Sequence, residues 1–255
     1  MRRALALLLL AACEPSSASS DPTPAASSSP PATPPPARVD AGTPHTPSAQ
    51  LRRCAEARGE PSSIVDALAR YGALPLPADG PCIVATLPRP LAVVATIGVT
   101  SAQPASGRAS PRLFFLLPKL VISAVPEGDG SQVLEFGEWV TATRTIKGEI
   151  GLPVTAPLAA DAAFERVLKG TDRTMCGICH REEERHPTLA NAFVSAAYEP
   201  EPGTFVTVAE LEALHETCAR EHDPSDRCAM LHAVFDFGAV TQGAFAPEVE
   251  TFNGR

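Results

Sequence analysis

The seven cysteines of this 255-residue chain constrain it more than any other feature, because their partners decide how distant segments can be joined. Their compartment is read from the N-terminus. Met1-Arg2-Arg3 is a short cationic start, and Ala4 to Ala12 is an unbroken apolar run rich in leucine that ends at Cys13. A bilayer span takes roughly 20 apolar residues, so residues 1–12 read as a secretory signal peptide. Export places the thiols where they oxidise. With Cys13 set aside, Cys54, Cys82, Cys176, Cys179, Cys218 and Cys228 form an even set, as disulfide pairing requires.

Leu10-Ala11-Ala12-Cys13 resembles the lipobox of bacterial lipoproteins: small residues that a signal peptidase admits, then the cysteine that receives lipid. The resemblance implies cleavage before Cys13 and its acylation, which makes membrane lipid a partner. It also places the chain in the bacterial cell envelope, facing the periplasm or the exterior. An ordinary signal peptide with a cysteine nearby is the alternative. Several acyl chains on one residue anchor stably where one alone binds marginally. No later segment is apolar and long enough to span a bilayer. The formal net charge of −8, with no Lys/Arg cluster after the signal, excludes nucleic acid as a partner.

From Glu14 to about Gln50 the chain is almost entirely Pro, Ser, Ala and Thr, with nothing apolar enough to nucleate a core. Residues 13–50 are therefore expected to be the lipidated cysteine and a disordered, partly polyproline tether. The remainder divides by pattern into two expected domains, 51–155 and 156–255. A helix is predicted from Ser63 to Tyr71, with a serine cap and Gly72 past its end. Cys82–Leu87, Leu91–Ile97, Leu113–Leu117, Leu120–Val125, Gln132–Phe136, Val140–Thr143 and Arg144–Ile150 read as strands, with a hairpin turn over Pro126–Ser131. These suggest a small antiparallel all-β domain, sandwich or open barrel. After Pro157 the period turns helical: Phe164, Val167 and Leu168 share a face, Thr207 and Glu210 form a capping box, and Ser225 caps a last helix. The second domain is expected to be mainly α.

Inside it lies Cys176-Gly177-Ile178-Cys179-His180, a spacing that reads as c-type haem attachment. Two thiols about one turn apart can each bond a vinyl group on one porphyrin edge, and the next residue sets an imidazole beneath the iron. With this motif, residues 156–255 resemble a monohaem cytochrome c domain. The resemblance implies covalent haem c on Cys176 and Cys179, His180 as proximal iron ligand, a distal ligand downstream, a role as single-electron carrier, and a redox partner protein still to be identified. Met230 is the methionine in that stretch, though its setting reads as helix rather than loop; His232, His215 or an open position are the alternatives. The cleft would be lined by residues such as Ile178, Leu214, Leu231 and Phe235.

With haem on the motif, Cys54 pairs with Cys82 and Cys218 with Cys228. Without it, a third bridge or a zinc site remains, although zinc sites usually show a second close cysteine pair. The charge run Arg181–Arg185 reads as a solvated face, or as the rim that orients a redox partner. No acid/base constellation stands out, so catalysis is not predicted. The reading from a different class is an envelope lipoprotein, stabilised by disulfides, that acts as a binding or structural module without haem. Cys13→Ala is expected to release the chain from membranes into the soluble fraction on cell fractionation; retention in the membrane fraction would refute lipid anchoring.

Overall fold

Local capping signals start the helices. In the computed structural model, which describes residues 46–254, Ser48, Ser63 and Asp79 each accept a backbone N–H three residues on, at the starts of α1 (Ala49–Glu56), α2 (Ile64–Gly72) and α3 (Gly80–Ala85). The expected signal peptide, Cys13 and all but the end of the tether lie outside the described residues. Where a strand was expected over Cys82–Leu87, the chain is helical. A buried apolar run of this length has no period of its own, and Asp79, whose carboxylate accepts from Cys82 N at 2.8 Å, decides the matter.

A five-stranded antiparallel meander follows: β1 (Leu91–Thr96), β2 (Arg112–Leu116), β3 (Leu120–Ala124), β4 (Val133–Thr141) and β5 (Arg144–Gly151). The stretches Gln132–Phe136 and Val140–Thr143, expected as two strands, belong mostly to the single strand β4. A register shift between Trp139 and Thr141 interrupts its alternation. Beyond come α4 (Ala162–Val167), β6 (Glu184–Arg185), β7 (Phe193–Ala196), β8 (Tyr198–Glu199), β9 (Phe205–Val206), α5 (Val208–Glu221), α6 (Asp226–Phe235), β10 (Val240–Gln242) and β11 (Glu250–Thr251). The capping box of Thr207 and Glu210 opens α5, and Ser225 caps α6.

The late strands overturn the expected fold class. The large sheet runs β10-β1-β2-β3-β4-β5-β7-β6, with β9 also on β1, so strands from both sides of residue 155 share one ladder. β10 lies parallel to β1; the other pairs in this sheet are antiparallel. The architecture is mixed, a helix-covered and mostly antiparallel sheet, rather than an all-β domain followed by a mainly α cytochrome c-like one. The physical reason lies in what the late helices bury: α6 packs on α3, and α5 packs on α6 and β1. One apolar core thus runs from Leu51 to Val234.

Register divides the sheet into two faces, since successive side chains in a strand point opposite ways. Leu113, Phe115, Leu120, Ile122, Leu134, Phe136, Ile146 and Ile150 are buried toward the core. Tyr71 of α2 stacks on Phe136 with ring centroids 6.4 Å apart. A β-carbon at Gly148 would lie 3.1 Å from Ala163 Cβ, so α4 sits directly on β5. The other face carries Arg112, Ser123, Glu135 and Lys147, and Arg112 donates to Ser123 Oγ at 3.0 Å and to Glu135 Oε2 at 2.5 Å.

Two disulfides cross-link the helices, matching the expected pairs. Cys54 of α1 joins Cys82 of α3 with Cα atoms 5.3 Å apart, and Cys218 of α5 joins Cys228 of α6 at 5.5 Å. The Cys54–Cys82 link closes a sequence separation of 28 residues. Loop-closure entropy at that length makes it worth about 3 to 4 kcal/mol. Replacing both cysteines by serine is expected to lower the denaturant midpoint accordingly; an unchanged midpoint would show that α1 contributes nothing to the cooperative unit.

Candidate functional site

The CxxCH motif is held by its own neighbours in sequence. Met175 N donates to Val167 O at 2.8 Å, Gly177 N to Thr174 Oγ1 at 3.2 Å, and His180 N to Cys176 O at 2.8 Å, closing one helical turn over the motif. Glu183 folds back onto this turn. Its Oε2 accepts from Thr174 N at 2.8 Å, and its Oε1 accepts from the Thr174 hydroxyl. A β-carbon at position 177 would meet that carboxylate at 2.6 Å, so the turn admits only glycine there unless Glu183 moves. The charge run is therefore partly structural: Glu183 clamps the motif, and Glu184 pairs with Arg144 at 3.0 Å.

His180 is fixed by β7 and β8. Its Nδ1 lies 2.8 Å from Ala196 O, and its ring stacks on Tyr198 with centroids 5.4 Å apart at 20°. A carbonyl only accepts, so Nδ1 carries the proton and Nε2 keeps its lone pair. That tautomer is the one a histidine needs to bind a metal through Nε2 while a backbone carbonyl orients it.

The motif turns toward the polar face of the sheet. Burial pushes the His180 imidazole down to about 3, and the nearby Lys147 ammonium adds to the effect. Burial likewise pushes the Cys176 thiol up to about 11, with the Glu135 carboxylate contributing. Lys147 itself is driven down to about 8 by desolvation, against the pull of Cys176 and Glu135. At neutral pH Cys176 is thus a neutral thiol, unsuited to act as the thiolate nucleophile that disulfide exchange demands.

Cys176 and Cys179 are both unbridged, half-buried and exposed respectively, while the other four described cysteines are paired. They are not gathered for zinc either. Among the described residues, the side chains whose ligand atoms converge within 4.8 Å are His215, His232 and Asp236 in one group and Cys218, Asp223 and Cys228 in another. The second group is occupied by its disulfide.

The structure does not bring the expected cleft together. Met230 is buried in α6, its methyl 3.2 Å from where a β-carbon of Gly80 would stand, whereas His180 lies against Ala196 and Tyr198. Leu231 is fully buried in the core, while Ile178 is 64% exposed and Met175 beside it 52%. Phe235 stacks on His215. The hollow beside the motif, lined by Lys169, Arg173, Thr174, Gly177, Ile178 and Glu183, measures about 170 Å³. Enclosed cofactor sites run to roughly 300–1,000 Å³. The donor types of the motif, two unbridged thiols and an imidazole oriented through Nδ1, are those that covalent haem would need. An enclosing pocket is not part of it.

Sequence reading found the motif and missed its surroundings. Lys147, Glu135, Ala196, Tyr198 and Glu183 come from separate strands and a turn; of these only Glu183 was in view, as part of a charge run.

No protein-family model, curated protein or solved structure matches this chain.

The imidazole carries a pH consequence. Between its ordinary value of 6.5 and about 3, an unfolded chain binds a proton at His180 that the native chain refuses. Its contribution is therefore present above 6.5 and is lost as the pH falls toward 3. Urea midpoints of haem-free protein across this window are expected to drop with pH, and His180→Gln to flatten the drop; parallel curves would place His180 in open solvent.

Proposed function

We propose that this chain is an exported, lipid-anchored envelope protein that carries one covalently attached haem c at an exposed site and moves single electrons. Cys176 and Cys179 form the thioethers, and His180 Nε2 binds the iron. One observation carries the reading. In a chain that pairs its other described cysteines, two unbridged thiols stand four and one positions before a histidine whose Nδ1 is tied to Ala196 O at 2.8 Å, which leaves the lone pair on Nε2. Met175 and Ile178, both exposed, would supply apolar surface for such a group.

A bound haem exchanges electrons at its edge, and His ligation is one of the levers that set its potential. The residues of this chain do the rest. Glu183 and Thr174 hold the turn, and Tyr198 holds the imidazole plane. The distal side is read as open, since Met230 and the histidines of α5 and α6 have packing partners of their own. Cys13 and the tether then set the reach of the site from the lipid surface.

The exposed, charged surroundings of the motif favour one competitor, the same envelope protein working as a binding or structural module without haem. Expression in a host with a haem-attachment system separates the two. The expected product keeps a haem absorption band after denaturation and loses it in Cys176→Ala/Cys179→Ala. It shows no methionine-to-iron charge-transfer band, and Met230→Leu leaves its visible spectrum unchanged. Colourless protein, or Cys176 and Cys179 recovered as a disulfide, would establish the haem-free module instead.

A further inference from the structure

The second polar centre of the protein lies between α5 and α6. His215 from α5 and His232 from α6 both reach Asp236, the residue that caps the C-terminus of α6. His215 Nε2 stands 2.7 Å from Asp236 Oδ1, and His232 Nδ1 stands 3.2 Å from Asp236 Oδ2. The two imidazoles meet edge to face with centroids 4.9 Å apart, and His215 is backed by Phe235 at 5.3 Å. One donor atom from each of the three side chains falls within 4.8 Å of the others. All three side chains are largely withdrawn from solvent, at 17%, 9% and 8% exposure.

We propose that His215, His232 and Asp236 form a binding site for one divalent transition-metal ion of the zinc class, separate from the CxxCH turn. Two imidazoles and a carboxylate suit such an ion, and three protein ligands with one position left open is the composition of sites that also admit a water or a small ligand. His232 also lines an open groove of about 510 Å³ whose walls include Thr46, Asp79, Pro81, His222 and Asp223, so one member of the triad borders open space. Metal–nitrogen and metal–oxygen bonds of about 2 Å need donor atoms roughly 3 to 4 Å apart, so small side-chain rotations suffice. On binding, the metal takes the lone pairs of His215 Nε2 and His232 Nδ1, and each imidazole carries its proton on the other ring nitrogen.

The Cys218–Cys228 disulfide fixes the two helices that bear the ligands, so the site is built in advance. The His–Asp–His bonds alone also explain a structural clamp between α5 and α6, and experiment must separate the two. The probe is Co²⁺ added to the exported full chain with its disulfides formed, followed by displacement with Zn²⁺. The expected result is one equivalent bound, with visible ligand-field bands that Zn²⁺ abolishes and a melting temperature raised by Zn²⁺. Asp236→Asn and His215→Asn, which keep size and polarity, are expected to weaken binding by more than about 100-fold, since even outer partners of a metal ligand are worth about 10- to 100-fold. Cys176→Ser/Cys179→Ser is expected to leave the bands and affinity unchanged, so this outcome does not depend on whether haem attaches. Absence of ligand-field bands in the parent, bands that persist in both α5/α6 variants, or bands lost only in the CxxCH variant would each overturn the site.

Discussion

The pairing of β4 with β5 is the constraint on which the rest of the molecule depends. Opposite residues such as Leu134 and Ile150, or Gly137 and Lys147, fix which side chains enter the core and which face away. A slip of one residue would send Ile146 and Ile150 out and Lys147 and Glu149 in, exchanging apolar burial for buried charge. Correct register lets Gly148 accept α4 at contact distance and lets Tyr71 close over Phe136. The core and the polar face are two results of one ladder.

The CxxCH turn inherits its surroundings from that ladder. β7 is hydrogen-bonded to β5 through pairs such as Ile146 with Val194, and the Ala196 carbonyl that orients His180 comes from the end of β7. Lys147, from the polar side of β5, supplies the positive charge felt by both Cys176 and His180. Counted from Cys176, a motif read in five consecutive residues thus has its chemistry set by residues 29 or more positions earlier and by others up to 22 positions later.

Capped and periodic helices were legible in the sequence. Ser63, the box of Thr207 with Glu210, and Ser225 each stand where their helices begin, and the β3–β4 hairpin turn was legible as well. The disulfides were readable because each pair falls within one expected domain, and Cys218 and Cys228 flank the loop between two expected helices. The single fold was not. β6, β9 and β10 are two or three residues long, too short to show an alternating pattern, and they owe their conformation to the edge they join. The change of period after Pro157 marked a change of local structure and was taken for a domain boundary. Helices that bury one face against an earlier helix or strand leave the same imprint as helices that pack around a cofactor.

The margins of the large sheet are short and obstructed. On one side β10 and β9 divide the free edge of β1 between them, covering Leu91–Val93 and Ala95–Thr96 in opposite directions. On the other the outermost strand is Glu184–Arg185, with Glu184 tied to Arg144 and the Arg185 guanidinium drawn back over the Phe193 ring. A neighbouring copy therefore finds no run of free amides and carbonyls on which to add a strand. At high local concentration such blunted margins keep crowded molecules from polymerising through their sheets.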